Sequence, residues 1–219
     1  CKHSENNWTK VAVFAGGDRG HYRTDFDCFV GVDRGSLWVL EEKLPLALAV
    51  GDFDSVTKEQ RDLIHEAADT IVQLPSEKDD TDFEAALLWV KEHYEGIPIH
   101  VLGSFGGRAD HAISTLWTMM RPDLAPLIPY VVFEDATNVV NFIQPGTYTI
   151  EKMDFTKYLS FISMTPVENL TLQNVKYTLD SKSYAYPVAL VSNEFTADKM
   201  TISFTKGLIL VAQTRDHWR

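Results

Sequence analysis

Between residues 11 and 135, short runs that are almost wholly apolar alternate with stretches of helical periodicity. The runs are VAVFAGG (11–17), CFVGV (28–32), LALAVG (46–51), TIVQLP (70–75), IHVLGS (99–104) and YVVFED (130–135). Strands that are apolar along their whole length are typical of a parallel sheet covered on both faces. Because parallel strands need crossover connections, the alternation predicts a doubly wound, mostly parallel α/β domain with right-handed crossovers.

The stretches between these runs predict helices. They cover residues 34–43, 57–68, 81–94 and 109–120. In the third stretch, Thr81 and Glu84 match the capping-box pattern, and apolar residues recur at helical spacing from Phe83 onward. The fourth stretch is expected to end before Pro122, because proline cannot continue a helix.

The pattern changes after Asp135. Short alternating runs are separated there by PG, NEF and TKG turns, which is typical of an antiparallel sandwich or barrel. The change falls near residues 136–142. The sequence therefore predicts an α/β domain over residues 1–138 followed by an antiparallel β-sandwich domain over residues 139–219.

Charge and cysteine content limit the classes of partner. The chain has 31 acidic and 20 basic residues, for a formal net charge of -11, which argues against binding to nucleic acid or to an anionic membrane surface. No uninterrupted apolar segment reaches the roughly 20 residues that a membrane-spanning helix needs. Cys1 and Cys28 form no zinc-binding or disulfide pattern. We therefore expect a cytoplasmic protein without a nucleic-acid or membrane partner.

Polar loops follow the predicted strands, and open α/β sheets bind ligands outside the carboxyl ends of their strands. The loops are GGDRGH (16–21), DRGS (33–36), DFDS (52–55), SEKDDTD (76–82) and FGGRADH (105–111). They carry Asp18, Asp33, Asp52, Asp54, Asp79, Asp80, Asp82 and Asp110, together with Arg19, Arg34, Lys78 and Arg108. Carboxylates suit Mg²⁺, whereas arginines and glycine-rich backbone suit phosphate. The loops predict a magnesium and polyphosphate site for phosphoryl-type transfer.

The DFDSV motif (52–56) by itself leaves several chemistries open. It matches the signature of haloacid-dehalogenase-type phosphatases, in which Asp52 would be the nucleophile, but that signature normally follows the first strand of its domain and here two strand-helix units precede it. Metal-dependent sugar-nucleotide transferases also use a DxD motif. A P-loop kinase is excluded because no GxxxxGK[ST] occurs. Arg108 with Asp110 could also be a structural salt bridge.

Motifs along nearly the whole chain resemble one family when they are taken together. They are AGGD (15–18), VGVDRGSLWVLE (30–41), LPLALAVGDFDSV (44–56), KDDTDFEAAL (78–87), LGSFGGRADH (102–111) and SNEF (192–195). In this order and spacing they resemble the bacterial-type thiamine pyrophosphokinases. The resemblance implies an α/β catalytic domain followed by a β-sandwich, in a homodimer with active sites between subunits. It also implies transfer of the pyrophosphoryl group of ATP to the hydroxyl of thiamine, which gives thiamine diphosphate and AMP.

The resemblance implies roles for individual residues. For Mg²⁺ it implies the catalytic carboxylates Asp52, Asp54 and Asp82. For the nucleotide and the transferring group it implies Asp79, Thr81, Arg108 and Asp110, and it implies Asp18, Asp33 and Arg34 as further nucleotide-side residues. Lys78 stands where eukaryotic relatives often have glutamine, and we expect it to contact phosphate. Asp79 or Asp110 would accept the proton of the hydroxyl.

Ser192 and Asn193 are similar to the part of the sandwich that approaches thiamine. The aromatic residue that eukaryotic relatives stack on thiamine near the chain end has no match in GLILVAQT (207–214). Two other classes of function stay open at this level. One is a phosphatase that uses the DxD motif, and the other is a non-catalytic thiamine- or nucleotide-binding protein.

Overall fold

The computed structural model describes residues 10–17, 20–77, 79–94 and 96–217. The chain divides into two compact units, Cys1–Asp135 and Ala136–Arg219. The first unit contains β1 (Val11–Phe14), β2 (Cys28–Val32), α1 (Gly35–Glu41), β3 (Leu46–Gly51), α2 (Lys58–Ala67), β4 (Thr70–Gln73), α3 (Asp82–His93), β5 (Ile99–Leu102), α4 (Ala109–Trp117) and β6 (Val131–Glu134). The predicted alternation of strands and helices is therefore confirmed.

The strands of the first unit form a parallel sheet in the order β6-β5-β1-β2-β3-β4. The chain runs outward from β1 to β4 on one side and then returns to place β5 and β6 on the other side of β1. The strand order thus reverses between β1 and β5. A crevice at the carboxyl ends of strands beside such a reversal is where open α/β sheets bind ligands.

Both faces of this sheet are covered. Ala12 and Phe14 of β1 share a core cluster with Trp38 of α1. Because successive side chains on a strand alternate between faces, Val11 and Val13 lie on the opposite face, and both are fully buried. The helix α3 packs against β2 and β3. None of the helices within the described ranges is long and apolar enough to cross a membrane.

The start of α3 is fixed by the predicted capping box. Thr81 Oγ1 accepts a hydrogen bond from Glu84 N at 3.1 Å, and Glu84 Oε2 accepts one from Thr81 N at 2.8 Å. The last predicted helix is shorter than expected, because α4 ends at Trp117 and continues as a 3₁₀ turn. Arg121 has extended backbone, as a residue before a proline usually does.

The second unit is an antiparallel sandwich, as predicted. Its strands are β7 (Asn138–Ile143), β8 (Gly146–Glu151), β9 (Tyr158–Ser163), β10 (Val167–Gln173), β11 (Leu179–Tyr184), β12 (Ala189–Asn193), β13 (Lys199–Phe204) and β14 (Ile209–Thr214). They pair in the orders β12-β9-β14-β7 and β11-β10-β13-β8. Phe161 of the first set shares one core with Leu172 and Ile202 of the second. The two sets therefore pack face to face.

Candidate active site at the carboxyl edge of the parallel sheet

Three aspartates from separate loops meet at the carboxyl edge of the parallel sheet. Asp33 follows β2, Asp52 follows β3, and Asp82 opens α3 after β4. Each is partly buried, and one carboxylate oxygen from each lies within 4.8 Å of those of the other two. Carboxylates this close repel one another unless a cation shares them. We call this group the carboxylate triad.

Left-handed backbone at two residues aims these carboxylates. Asp33 has φ 48° and Phe53 has φ 56°, a region in which residues other than glycine are uncommon and which is often found at functional sites. The turn at Phe53 buries its ring completely, while its two aspartate neighbours keep contact with solvent. Arg61 Nη2 donates to Phe53 O at 3.0 Å, and Asp54 N donates to Asp52 Oδ1 at 3.1 Å. These bonds fix the direction of the Asp52 carboxylate.

The triad has the chemistry of a magnesium site. Ser55 Oγ donates to Asp33 Oδ2 at 2.7 Å, whereas Asp33 Oδ1 is buried and accepts no hydrogen bond from any described residue. A buried carboxylate oxygen without a donor is costly, and a hard divalent cation would satisfy it. Asp54, which the DFD pattern predicts as a ligand, is exposed and lies outside the triad. The third member of the triad is Asp33, which the resemblance assigns to the nucleotide side.

A glycine-lined cleft opens beside the triad, where the strand order reverses. Gly17 N donates to Gly103 O at 2.8 Å, and a Cβ atom at Gly17 would lie 2.0 Å from that oxygen. Only glycine therefore permits the loops after β1 and β5 to approach this closely. The cleft consists of two cavities of about 420 and 500 Å³. They share Ala15, Gly16, Arg34, Arg108, His111 and Thr115, and the second also contains Asp33, Thr81 and Asp82.

Two of the predicted cationic side chains, Arg34 and Arg108, line both cavities. Arg108 forms a two-pronged ion pair with Asp110, with Nε–Oδ1 at 3.1 Å and Nη2–Oδ2 at 2.6 Å. The pair raises the pKa of the Arg108 guanidinium and lowers the pKa of the Asp110 carboxyl. Their side chains are 72% and 64% exposed, so solvent weakens the attraction. A bound phosphate can replace Asp110 as the bidentate partner of Arg108.

Ser104 is a cleft residue that sequence reasoning missed. Its side chain is 5% exposed and lines the cavity next to Gly103. Its hydroxyl has no hydrogen-bond partner among the residues that the structure describes. A residue that lines a cavity and whose buried hydroxyl lacks a partner is a candidate for contact with a ligand. The available signal was its position within LGSFGGRADH (102–111).

The remaining predicted residues of the first unit differ in what the structure shows of them. Thr81 lines the second cavity and caps α3. Asp79 is exposed, and its neighbour Asp80 is paired with Arg121. Asp18 and Lys78 lie outside the described residues.

The two predicted substrate residues of the second unit have different surroundings. Ser192 is exposed at the end of β12, with φ 60°, and its backbone N donates to Ser160 Oγ at 3.1 Å. Asn193 is 4% exposed. Its Oδ1 accepts from Tyr177 N at 2.9 Å and from Glu194 N at 3.0 Å, and its Nδ2 donates to Tyr177 O at 2.9 Å. The Asn193 amide is therefore occupied in holding a turn, and Ser192 presents the accessible hydroxyl.

Comparison with known proteins matches both units. The family model described as "Thiamin pyrophosphokinase, catalytic domain" matches residues 20–129. The model described as "Thiamin pyrophosphokinase, vitamin B1 binding domain" matches residues 147–209.

Individual relatives are similar along nearly the whole chain. The thiamine pyrophosphokinase of Bacillus subtilis (strain 168) is 31% identical, with 94% of this chain and 99% of the relative covered. The crystal structure of a thiamin pyrophosphokinase family protein from Enterococcus faecalis has a TM-score of 0.89 at 37% identity, covering 94% of this chain and 99% of that one. Yeast thiamin pyrophosphokinase has the same fold, with a TM-score of 0.73 at 15% identity, over 97% of this chain and 88% of its own. The chain therefore belongs to the thiamine pyrophosphokinase family.

Proposed function

We propose that this protein is a thiamine diphosphokinase, which transfers the pyrophosphoryl group of ATP to the hydroxyl of thiamine and yields thiamine diphosphate and AMP. Membership of the family supports the reaction. The observation that carries it at the level of the site is the carboxylate triad, in which one oxygen of each residue lies within 4.8 Å of the other two. Two of its members, Asp33 and Asp82, line a cavity together with Arg34 and Arg108. That arrangement suits a triphosphate and its metal ion.

Asp33, Asp52 and Asp82 are the proposed Mg²⁺ ligands. Mg²⁺ bound there would neutralise charge on the phosphoryl oxygens during transfer. Mg²⁺ takes six oxygen ligands, so three carboxylate oxygens would leave positions for phosphate oxygens and water. Asp54 remains a predicted ligand from the DFD pattern, because it belongs to the same loop as Asp52.

The cationic and glycine-rich parts of the cleft are assigned to the nucleotide. Arg34 and Arg108 would hold phosphoryl oxygens, and their fixed charges would stabilise the charge that develops in the transition state. The glycines beside β1 and β5 let backbone approach the phosphates. Thr81 belongs to the same wall. Asp18 and Lys78 keep the nucleotide-side roles that the resemblance implies for them.

In the proposed transfer, the thiamine oxygen attacks the β-phosphorus in line with the bond to the leaving AMP. The new O–P bond forms as the bond between the β-phosphorus and the bridging oxygen breaks, and AMP leaves with that oxygen. The hydroxyl proton passes to a carboxylate, and Asp79 or Asp110 would accept it. In the free protein Arg108 lowers the pKa of Asp110, but a phosphate that takes Arg108 as its partner would remove this effect, so both carboxylates stay open as the acceptor.

The second unit is assigned to thiamine and to assembly. We propose that residues 1–138 form the ATP and magnesium domain, and that residues 139–219 bind thiamine and form a homodimer. The exposed hydroxyl of Ser192 and the match to a vitamin B1 binding domain support the assignment of thiamine to the second unit. Sedimentation equilibrium should give twice the 24.8 kDa mass of the chain, and a monomer mass at micromolar concentration would refute the dimer. The acidic charge and the cysteine pattern support a cytoplasmic location without a nucleic-acid partner.

One assay tests the reaction directly. The protein is incubated with ATP and Mg²⁺, with and without thiamine, and AMP, inorganic phosphate and thiamine diphosphate are quantified. We expect AMP and thiamine diphosphate in equal amounts, and only when thiamine is present. Release of inorganic phosphate without thiamine would support the phosphatase, and binding of thiamine or ATP without any product would support the non-catalytic protein. Asp52→Asn serves as the inactive control.

A further inference from the structure

Arg121 forms ion pairs with three carboxylates near the beginning of α3, the helix that starts at Asp82. Its Nη1 lies 2.5 Å from Asp80 Oδ1 and 3.6 Å from Glu84 Oε1, and its Nη2 lies 2.8 Å from Asp123 Oδ2. The side chain is only 27% exposed. Bonds to Asp123 and Asp80 raise the pKa of the guanidinium. Arg121 is therefore held in its charged form between three carboxylates.

Two of these partners flank a member of the carboxylate triad. Asp80 lies two positions before Asp82, and Glu84 lies two positions after it. Glu84 also accepts a hydrogen bond from Thr81 N through its other carboxylate oxygen. Arg121 thus contacts both the loop that leads into α3 and the residue that completes its capping box.

The third partner anchors Arg121 to a part of the chain that lies beyond the triad. Asp123 is only two residues from Arg121, and its backbone oxygen accepts a hydrogen bond from Lys91 Nζ of α3 at 2.5 Å. This segment follows α4, which begins directly after Arg108. Arg121 consequently links the beginning of α3, which carries Asp82, to the segment after the helix that begins at Arg108.

We propose that Arg121 is a positioning residue for the metal site, which holds Asp82 in place by fixing Asp80 and Glu84. The proposal rests on the proposed function only in that it takes Asp82 as a metal ligand. Mg²⁺ demands nearly ideal octahedral geometry, so its affinity depends on how firmly each ligand is held. An ion pair that served stability alone would leave metal affinity unchanged.

The direction of the change in metal affinity distinguishes a positioning role of Arg121 from a purely electrostatic one. Removal of a nearby positive charge should by itself strengthen the binding of a divalent cation, because the cation is repelled less. Loss of positioning should weaken that binding instead. Arg121→Met removes both the positive charge and the two-pronged guanidinium group. The direction of the change in metal affinity therefore decides between the two roles.

The test measures Mn²⁺ affinity of the full chain by electron paramagnetic resonance, with Mn²⁺ as the probe for the magnesium site. We expect Arg121→Met and Asp80→Asn each to weaken Mn²⁺ binding about tenfold, and the double variant to bind no more weakly than either single one, because both act through one contact. The matched control is Asp62→Asn on α2, which loses the same charge as Asp80→Asn but is not among the carboxylates that Arg121 contacts. It should stay within about twofold of the wild type.

Unchanged or tighter Mn²⁺ binding by Arg121→Met would overturn the proposal, as would additive losses in the double variant. Circular dichroism checks the fold of each variant. If Arg121→Met does not fold, Arg121→Lys and Asp80→Asn decide by the same criterion, because lysine keeps the charge but loses the two-pronged group. Wild-type protein that binds Mn²⁺ but forms no AMP would refute the proposed function alone. AMP formation together with unchanged Mn²⁺ binding in the variants would refute the positioning role alone.

Discussion

Ser55 donates its hydroxyl to Oδ2 of Asp33 at 2.7 Å, while Oδ1 of the same carboxylate is buried and accepts no hydrogen bond from the described residues. The Asp33 carboxylate is thus oriented on one side and left with an unused acceptor on the other. Its backbone has φ 48°, a conformation that this residue type tolerates better than most. Together with its place beside Asp52 and Asp82, this supports the proposal that Asp33 is a metal ligand.

Asp33→Asn should therefore impair metal binding and turnover. An amide removes one negative charge from the triad and offers a single oxygen in place of two. We expect turnover, measured as AMP formation, to fall by about 10²-fold, with a parallel loss of Mn²⁺ affinity. Asp62→Asn, on the exposed surface of α2, removes the same charge away from the site and should match the wild type. Normal Mn²⁺ affinity in Asp33→Asn would indicate that Asp33 contacts the nucleotide and not the metal, as the resemblance implies.

Ser104→Ala should weaken nucleotide binding without loss of stability. If the buried hydroxyl donates to a phosphate oxygen, its removal costs about tenfold in the affinity for AMP or ATP, since a hydrogen bond to a charged group contributes about 1.5 kcal/mol. Removal of a hydroxyl that has no partner in the free protein should leave the melting temperature unchanged or slightly higher.

Ser36→Ala is the matched control for this serine. Ser36 is fully buried and its hydroxyl also lacks a partner among the described residues, but its side chain lies against Gly31 and is not among those that line the two cavities. Isothermal titration calorimetry with AMP should therefore distinguish the two variants. Equal affinities for AMP would show that Ser104 does not contact the nucleotide.

The loss of folding stability at alkaline pH should depend on Cys28. Burial raises the pKa of its thiol from 9.0 to about 12, so the unfolded chain loses this proton at a lower pH than the folded chain. Stability therefore falls as pH rises above 9, by about 1.4 kcal/mol per pH unit until the folded pKa is reached. The measurement is urea unfolding of the wild type and of Cys28→Ala at pH 8 and pH 10.5.

The difference between these two proteins reports the thiol together with its electrostatic coupling to Tyr94, because every titrating group other than the thiol is present in both. We expect the wild type to lose about 2 kcal/mol relative to Cys28→Ala between the two pH values. A difference that stays constant would mean that the buried thiol does not take part in the loss of stability at alkaline pH.

The architecture of the first unit could be predicted because its strands are covered on both faces and so remain apolar at every position. The ends of the strands could be predicted less well. The run VAVFAGG (11–17) predicts a longer strand than the observed Val11–Phe14, because Gly16 has φ 81° and turns the chain away from the sheet. A glycine that ends a strand is indistinguishable in sequence from a glycine within it.

The edge that carries the site could also be predicted, because the carboxyl ends of parallel strands gather their loops on one side. Which of the carboxylates lie close together could not be predicted. That choice depends on the lateral order of β2, β3 and β4 and on the left-handed backbone at Asp33, neither of which is visible in a motif. The role of Arg121 could not be predicted for a related reason. Its partner Asp80 is 41 residues away in the sequence, and an arginine after a helix belongs to no motif that indicates a partner.

Ser192 and Asn193 were predicted together as thiamine residues, and the structure leads us to expect different effects from their substitution. Asn193→Ala leaves Tyr177 N and Glu194 N without their acceptor, at a cost of about 1–3 kcal/mol for each donor that stays buried. It should therefore lower the melting temperature of the protein in the absence of any substrate. Ser192→Ala keeps the backbone bond to Ser160 and loses only an exposed hydroxyl.

For Ser192→Ala we accordingly expect an unchanged melting temperature and a KM for thiamine that rises about fivefold, the equivalent of one hydrogen bond of about 1 kcal/mol. The KM for ATP should not move, because the nucleotide is assigned to the first unit. Steady-state kinetics with each substrate varied in turn, combined with thermal unfolding, separates the two residues. A raised thiamine KM in Asn193→Ala with full stability, and none in Ser192→Ala, would reverse the assignment, because it would show that the buried amide rather than the exposed hydroxyl contacts the substrate.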